Sequence, residues 1–459
     1  MGREFAGEKR PHALVVPFPL QGHINPMMHF AQKLASDGFL VTFVNSEHNH
    51  SRIMEAKEKM GSERQADQDN IRMVCISDAL PEEVSRSDVR KLLDSLTDTL
   101  APSLQKLIQQ INENEPHKIT CAVFDHAVYY VRNLIGKHFG IPYALFCTMS
   151  VACSAACHLG STLLSSGIVF PNGTAKVQKM INLLPCMPPL HSTKLGWIFG
   201  SEDSIRKHFE TALDIEREIQ DELVLFNSFY DLEASVIEEY PKKGVKIYKQ
   251  GRGRCGLRRW SVWIGWTDSH PSPSSTCPLC SLAILNVKQF HELALGLEAT
   301  TRPFLWVVRS DLLDGTSAEF PPGFVQRVGD RGCIVSWAPQ LSVLSHPCIA
   351  CFISHCGWNS TLESVSLGVP MLCWPYFIDQ FLNCSYVVNE WKVGLELIAK
   401  RGGLVEKEEI QKAVEKVVGG QEGREMKARA MLLKERARVS MEEKGSSSVN
   451  YNLFIETMR

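Results

Sequence analysis

Short apolar runs alternate with helical patterns along both halves of the chain, and this alternation limits the possible folds most. In the first half, strands are predicted at residues 13–18, 40–44, 71–76, 119–124 and 143–147, and helices at 26–37 and 88–113. In the second half, strands are predicted at 304–309, 333–336, 350–354 and 370–374, and helices at 287–298, 359–367, 406–418 and 423–443. Strands that alternate with helices form parallel sheets covered on both faces. We therefore expect an α/β protein with two doubly wound domains facing each other across a cleft.

The length of 459 residues also favours two domains, since single cores rarely grow this large. We predict a first domain at 1–240 and a second at 281–440. Residues 441–459 are expected to form a C-terminal helix that packs back on the first domain. Residues 241–280 lie between the domains as an atypical segment, basic and Gly-rich at its start and Pro/Ser-rich in its middle. Irregular stretches of this length are uncommon inside compact domains.

The balance of charges argues against several classes of partner. The chain carries 49 Lys and Arg against 51 Asp and Glu, a net charge of -2, which gives no reason to expect nucleic acid or an anionic membrane surface. The first ten residues, MGREFAGEKR, are charged and lack the apolar run of a signal peptide. Fifteen cysteines without such a signal indicate reduced thiols. We expect a cytoplasmic protein that does not insert into membranes and acts as a monomer.

A strand, a glycine turn and a helix follow one another at residues 350–367. The apolar run ACFIS precedes His355, Cys356 and Gly357, and the helix is predicted to begin at Trp358 or Asn359. Free backbone N–H groups and the positive end of the helix then meet at the carboxyl edge of the strand. This arrangement favours binding of phosphate groups.

Polar and aromatic side chains around this turn suit the other parts of a nucleotide sugar. Asn359 and Ser360 can donate further hydrogen bonds, and Glu363 lies one helical turn later, where it can accept two ribose hydroxyls. Trp337 offers a flat face to a planar base. Asp379 and Gln380 follow the next strand and can bind sugar hydroxyls. Trp337, Trp358 and Trp374 could each be core residues and His355 a core histidine; the joint spacing argues for a site.

A second group of polar residues follows two strands of the first domain. His23 lies in the loop after the first strand, with Pro26 placed to begin a helix, and histidine can accept a proton near neutral pH. Asp125 ends the run ITCAVF at the same sheet edge and could orient the imidazole. Two alternatives remain: Asp125 could cap a helix, and His126 could compete for local hydrogen bonds.

The 44 residues from WAPQ at 337 to DQ at 380 resemble the donor-binding signature of the plant UDP-dependent glycosyltransferases of secondary metabolism. Residues 11–60, 220–233 and 288–309 are also similar to that family. The resemblance implies the GT-B fold, in which two Rossmann-like domains face each other. It implies that the first domain binds the acceptor and the second the UDP-sugar. The implied donor-binding residues are Trp337 and Ala338 for uracil, Gln340 and Glu363 for ribose, His355, Gly357, Asn359 and Ser360 for the diphosphate, and Trp358, Asp379 and Gln380 for the sugar.

The same resemblance implies a reaction. His23, paired with Asp125, removes a proton from an acceptor hydroxyl, which attacks the anomeric carbon and inverts it. The acceptor is expected to be a small lipophilic plant metabolite with a hydroxyl or carboxyl group. Gln380 favours glucose, so UDP-glucose is the expected co-substrate, with no further cofactor and no metal. Thr148 aligns with a position that contacts the donor sugar, although it could instead be a core threonine bonded to its own backbone. Ser281 aligns with a serine near the donor phosphate.

The chain departs from the family between residues 245 and 280. Pro278 cannot donate to a sheet ladder, so 275–281 predicts a poor central strand, and 245–276 looks unrelated to the family. The departure suggests a shifted reading frame, a mis-spliced message or a degenerate copy that at most binds UDP-sugar. Cys277 and Cys280 form a C-x-x-C pair that lacks a second ligand pair for zinc. An NAD(P)-dependent oxidoreductase is disfavoured because no G-x-G-x-x-G follows an early strand.

Overall fold

The computed structural model describes residues 10–51, 70–81, 84, 86, 89–218, 222–239, 259–261, 277–281, 285–308, 319–400 and 403–459, with the backbone alone at 259–261 and 277–281. None of the helices in these ranges is long and apolar enough to cross a membrane.

The first half builds a parallel sheet of seven strands in the order β3-β2-β1-β4-β5-β8-β9. Helices pack on both faces, which is why the strands are apolar almost throughout. A small antiparallel pair, β6 with β7, lies apart from this sheet. The elements are β1 His12–Val16, α1 Gln21–Ser36, β2 Leu40–Ser46, β3 Ile71–Ile76, α2 Val89–Asn114, β4 Cys121–Asp125, β5 Tyr143–Cys147, α3 Val151–Cys157, α4 Gly160–Ser165, β6 Met180–Ile181, β7 Leu190–His191, α5 Glu202–Glu218, β8 Val224–Phe226, α6 Tyr230–Glu239 and β9 Arg259–Ser261.

The second half builds a parallel sheet of six strands in the order β12-β11-β10-β13-β14-β15. The fold is thus α/β with two parallel sheets, as the alternation predicted. The elements are β10 Cys277–Ser281, α7 Val287–Ala299, β11 Phe304–Val307, α8 Phe324–Val328, β12 Gly332–Val335, α9 Gln340–Ser345, β13 Ile349–Ser354, α10 Trp358–Leu367, β14 Met371–Cys373, α11 Gln380–Ser385, β15 Gly394–Glu396, α12 Lys407–Val418, α13 Gly420–Met441 and α14 Ser446–Met458.

Strand β10 corrects the expectation of a poor central strand around Pro278. It lies in the middle of the second sheet and pairs in parallel with both β11 and β13. Proline has no N–H to donate, and the register of pairing with β13 shifts between Cys277 and Pro278. After this shift, the pairing is regular to Ser281. One irregularity at the start of the strand is therefore enough to accommodate the proline.

Strand β9 lies within the segment that looked unrelated to the family. Its backbone pairs in parallel with β8 at the edge of the first sheet. Two stretches of the 241–280 segment thus form β-strands, one in each sheet. The rest of that segment lies outside the described residues.

The final helix, α14, packs on the first half of the chain. Phe454 is fully buried, and its ring lies 5.5 Å from that of Phe30 on α1. Tyr451, Ile455 and Met458 extend the same apolar cluster. Helix α14 therefore contributes to the core of the first domain, although it follows the second domain in sequence.

Candidate functional site

The carboxyl ends of β1 and β4 bring His23 and Asp125 together. These strands are hydrogen-bonded neighbours, so the residues that follow them share one edge of the sheet. His23 Nδ1 lies 2.8 Å from Asp125 Oδ2. A quarter of the His23 side chain is exposed, whereas Asp125 is only 1% exposed. The aspartate thus fixes the ring from the protein side, and the ring's other nitrogen is left for the cleft.

Asp125 uses both carboxylate oxygens. While Oδ2 pairs with His23, Oδ1 accepts a hydrogen bond of 2.8 Å from the backbone N–H of Ala127 and caps the short helical turn at His126–Val131. The two functions considered for this residue are therefore both present. Thr148 Oγ1 lies 3.0 Å from His23 Nδ1, so this threonine also contacts the imidazole.

Opposing effects set the basicity of His23. Burial lowers its pKa, but the charge of Asp125, the hydrogen bond between them and the charge of Asp379 outweigh burial and raise the pKa above its ordinary value. Asp379 belongs to the second half, so the ring faces acidic groups from both sides of the cleft. Burial raises the pKa of Asp379 to about 6, against the opposing hydrogen bond from Asn383.

The turn between β13 and α10 has a tightly constrained backbone. Gly357 precedes the helix, and a methyl group at this position would overlap the ring of His355. Cys356 adopts a φ of 64°, and Ile378, just before Asp379, a φ of 56°. Left-handed conformations of non-glycine residues cost about 1–3 kcal/mol and cluster at functional sites. Both strained residues lie beside predicted donor-binding positions.

Asn359 in the first turn of α10 connects the two halves of the chain. Its Nδ2 donates a hydrogen bond of 2.5 Å to the carbonyl of Gly22, and its Oδ1 accepts one of 3.1 Å from Asn227 Nδ2. The indole N–H of Trp358 donates to the carbonyl of Asn227 at 2.7 Å. Both predicted donor-binding residues thus contact the first domain directly.

Helix α1 begins at Gln21, five residues before the start predicted at position 26, so His23 lies in its first turn rather than in a preceding loop. Pro26 lies inside the helix and has no N–H to give to the carbonyl of Gly22, four residues earlier. The side chain of Asn359 supplies the missing donor. Pro26 was expected to start the helix. It instead lies within the helix and leaves the carbonyl of Gly22 available to a donor from the other domain.

The two residues expected at the ribose lie next to each other. Gln340 begins α9, and its Nε2 donates to Glu363 Oε2 at 2.6 Å and to Ser360 Oγ at 3.2 Å. Burial raises the pKa of Glu363, with the hydrogen bond from Gln340 opposing it. Trp337, three residues before α9, has 65% of its surface exposed, so its ring face is accessible.

Asp379 and Gln380 lie where β14 leads into α11. Asp379 Oδ2 accepts a hydrogen bond of 2.8 Å from Asn383 Nδ2, and that amide also donates to the carbonyl of Cys356 at 3.0 Å. Gln380 Oε1 accepts from the backbone N–H groups of Tyr376 and Phe377. The loop before α11 is therefore held in shape by the side chains that are expected to bind the sugar.

Sequence reasoning missed two residues of this site. Asn227 follows β8 on the sheet edge that carries His23 and Asp125, so the argument used for Asp125 could have found it. Asn383 lies one helical turn after Asp379, and its Oδ1 accepts from Ser150 of the first half at 3.3 Å. Of the remaining predicted residues, Ala338 is half-buried before α9, and Ser281 ends β10, where only the backbone is described. The side chains of Cys277 and Cys280 lie outside the described residues.

Comparison with known proteins agrees with this fold. The family described as UDP-glucoronosyl and UDP-glucosyl transferase matches residues 281–436, and a glycosyltransferase N-terminal domain family matches 12–157. Two tandem Rossmann-like domains with these matches define a glycosyltransferase of the GT-B fold. The chain belongs to the plant family 1 UDP-glycosyltransferases, which also excludes the oxidoreductase alternative.

Individual relatives match along nearly their whole length. The chain is 32% identical to UDP-glycosyltransferase 85A1 of Arabidopsis thaliana, over 97% of this chain and 96% of the relative. It is 32% identical to linamarin synthase 1 of Manihot esculenta, over 98% and 97% of the two chains. Among solved structures, UGT2 of Phytolacca americana, complexed with UDP-2fluoro-glucose and pterostilbene, has a TM-score of 0.79 at 25% identity and covers 98% of this chain and 99% of its own.

Proposed function

We propose that this protein transfers glucose from UDP-glucose to a hydroxyl or carboxyl group of a small lipophilic plant metabolite, with inversion at the anomeric carbon. The observation that carries the proposal is the 2.8 Å contact between His23 Nδ1 and Asp125 Oδ2 at the edge facing Asp379. This contact supports His23 as the base and Asp125 as the carboxylate that orients it, opposite the predicted sugar-binding loop.

In the proposed reaction, the two ring nitrogens of His23 have different roles. Nδ1 carries a proton toward Asp125, which stabilises the imidazolium that forms later. Nε2 then accepts the proton of the acceptor hydroxyl, and the oxygen attacks the anomeric carbon from the side opposite UDP. An acceptor carboxylate needs no such proton removal. A hydroxyl acceptor gives the glucoside, UDP and a proton, whereas a carboxylate acceptor gives the glucose ester and UDP.

The second domain would hold the donor through its predicted binding residues. Trp337 stacks on uracil and Ala338 pairs with it through the backbone, while Glu363 and Gln340 bind ribose. The N-terminus of α10, with His355, Gly357, Asn359 and Ser360, stabilises the diphosphate as it leaves. Trp358, Asp379 and Gln380 bind the sugar, and Ser281 approaches the phosphate. These donors neutralise the leaving group without a metal or a further cofactor.

The names of relatives support glucose and a small acceptor. The chain is 30% identical to a 7-deoxyloganetin glucosyltransferase of Catharanthus roseus and 31% identical to an (R)-mandelonitrile beta-glucosyltransferase of Prunus dulcis. Both names describe glucosyl transfer to a small metabolite. We propose that this protein acts in the same way as a cytoplasmic monomer.

The test is UDP-glucose turnover against a panel of phenolics, terpenoids, cyanohydrins and aliphatic acids, with His23→Ala as the key variant. Loss of a general base lowers the rate with hydroxyl acceptors by about 10²–10⁴-fold. The matched control is His29→Ala on the same helix, which should keep turnover within a few-fold. UDP binding, measured by calorimetry, should persist in both variants.

Two outcomes would contradict the proposal. Undiminished glucosylation of hydroxyl acceptors by His23→Ala would show that another group removes the proton. UDP binding without turnover of any acceptor would favour the degenerate alternative. The regular place of β10 in the second sheet argues against that alternative, because it retains the strand beside the phosphate-binding turn.

A further inference from the structure

Three buried thiols meet directly behind the phosphate-side turn. Cys356 lies in the turn after β13, Cys373 ends β14 and Cys384 lies in α11. Their Sγ atoms all lie within 4.8 Å of one another, and the residues are 0%, 0% and 2% exposed. We call these three residues the thiol cluster. Within the described ranges, no other group of three or more Cys, His, Asp or Glu side chains converges in this way.

The proposed reaction has no use for the thiol cluster. The three cysteines belong to one buried apolar cluster that also includes Trp358, Val365 and Val387. The three thiols interact with one another through hydrogen bonds. Three closely successive elements of the chain therefore present soft ligand atoms to one point, and such ligands select thiophilic ions.

Charge decides which ion suits this place. Glu396 acts on Cys356 and Cys384 as a neighbouring negative charge. Lys194 acts on Cys384 as a positive charge, but its Nζ lies 3.6 Å from Glu396 Oε1, so these two charges offset each other. Three thiolates around a divalent metal leave a net charge of −1, and around Cu⁺ a net charge of −2. An apolar interior disfavours such uncompensated charge. Three thiolates around a trivalent centre leave no net charge.

We propose that the thiol cluster binds trivalent arsenic, taken up as arsenite. In this exchange, As(OH)₃ loses three As–O bonds and forms three As–S bonds. The three thiol protons leave with the three hydroxides as water. The oxidation state of arsenic does not change, so no oxidant or reductant is consumed, and the product is a neutral As(SR)₃ centre.

Bound arsenic would join the turn, the end of β14 and α11 into one unit. Cys356 lies between His355 and Gly357, and α11 begins with Gln380. The predicted phosphate-binding and sugar-binding segments would then lose freedom to move relative to each other. We expect arsenite to inhibit glucosyl transfer. This inhibition rests on the proposed function, whereas binding of arsenite to the cluster does not.

The test is binding of arsenite to the pre-reduced full-length protein. Native mass spectrometry should show one arsenic per chain, with three hydrogens lost. X-ray absorption at the arsenic edge should show three sulfur neighbours and no oxygen neighbour. Cys373→Ala and Cys384→Ala should each lose this adduct. The matched control, Cys351→Ala, removes another fully buried thiol of β13 and should keep it.

The outcomes separate the possible sites. An arsenic centre with only two sulfur neighbours, or an adduct that persists in Cys384→Ala, would place arsenic elsewhere, for example at Cys153 and Cys157. Absence of an adduct in the wild-type protein would also overturn the proposal. Circular dichroism checks that the variants fold, and Cys384→Ser is a second variant in case Cys384→Ala does not. The X-ray absorption spectrum of the wild-type protein tests the three-sulfur site without any variant. Binding without inhibition would leave the site intact and contradict only its link to turnover.

Discussion

At the scale of single residues, the site depends on side-chain contacts that no sequence motif predicts. His23 and Asp125 could be predicted because each follows a strand at a sheet edge where α/β proteins carry polar groups. The contact of Thr148 with the same imidazole nitrogen could not, because it depends on the χ angle of one side chain. The amide contacts of Asn227 and Asn383 are similar, since an asparagine in sequence gives no indication of its partner.

The charge of Asp125 predicts a specific change in pH dependence. The base must be neutral to act, so turnover of hydroxyl acceptors falls as pH drops through the pKa of His23, which is raised above 6.5. Asp125→Asn removes the charge that raises this pKa, and burial then lowers it. We expect the acidic limb of the kcat/KM profile to move to lower pH, with a rate loss of about 10⁴-fold at most.

The measurement is a pH–rate profile with one hydroxyl acceptor. Asp203→Asn, which changes an exposed carboxylate on α5 to an amide, is the control and should leave the profile unchanged. An acidic limb that moves to higher pH in Asp125→Asn would show that this aspartate does not set the basicity of His23.

At the scale of helices and strands, the sequence predicted several long elements closely, but it missed helix α5 and placed the start of α1 five residues too late. Helix α2 was expected at 88–113 and spans Val89–Asn114, because its apolar residues repeat with a clear helical period. Strands β8 and β15 have three residues each, too few for any periodicity to show. The prediction of a poor central strand at Pro278 was wrong for a different reason. The sheet accommodates the proline through a register shift, which the local sequence does not predict.

The packing of α14 predicts how the first domain responds to change at the end of the chain. Phe454→Ala removes a fully buried ring that contacts Phe30, and such deletions cost about 3–5 kcal/mol. We expect a clear fall in melting temperature, measured by calorimetry. Asn452→Ala, on the exposed face of the same helix, is the control. Equal melting temperatures for Phe454→Ala and the wild-type protein would mean that α14 does not stabilise this domain.

At the scale of the whole molecule, the two halves meet through hydrogen bonds as well as through apolar packing. Asn227 and Gly22 of the first half bind Asn359 of the second, and Ser150 binds Asn383. Phe229 and Leu232 also pack into an apolar cluster of the second half. The general architecture was predictable from strand–helix alternation. These contacts were not, because they depend on how two separately folded sheets approach each other.

The amide of Asn227 predicts an effect on donor binding from outside the donor domain. Asn227→Ala removes the hydrogen bond that orients Asn359 at the start of α10, and one such bond contributes about 1 kcal/mol. We therefore expect UDP affinity, measured by calorimetry, to fall about fivefold. Asn182→Ala, at an exposed position, is the control. Unchanged UDP affinity in Asn227→Ala would show that the Asn227 bond does not orient Asn359 for donor binding.

The bond between Gly22 and Asn359 has a consequence for recombining halves of related enzymes. With proline at position 26, the helix leaves the carbonyl of Gly22 without a helical donor, and in this chain the side chain of Asn359 in the second half binds it. A first half with another residue at position 26 would supply its own N–H and have no need of that donor. Chimeras of this family should therefore exchange positions 26 and 359 together, so that the two halves keep this hydrogen bond.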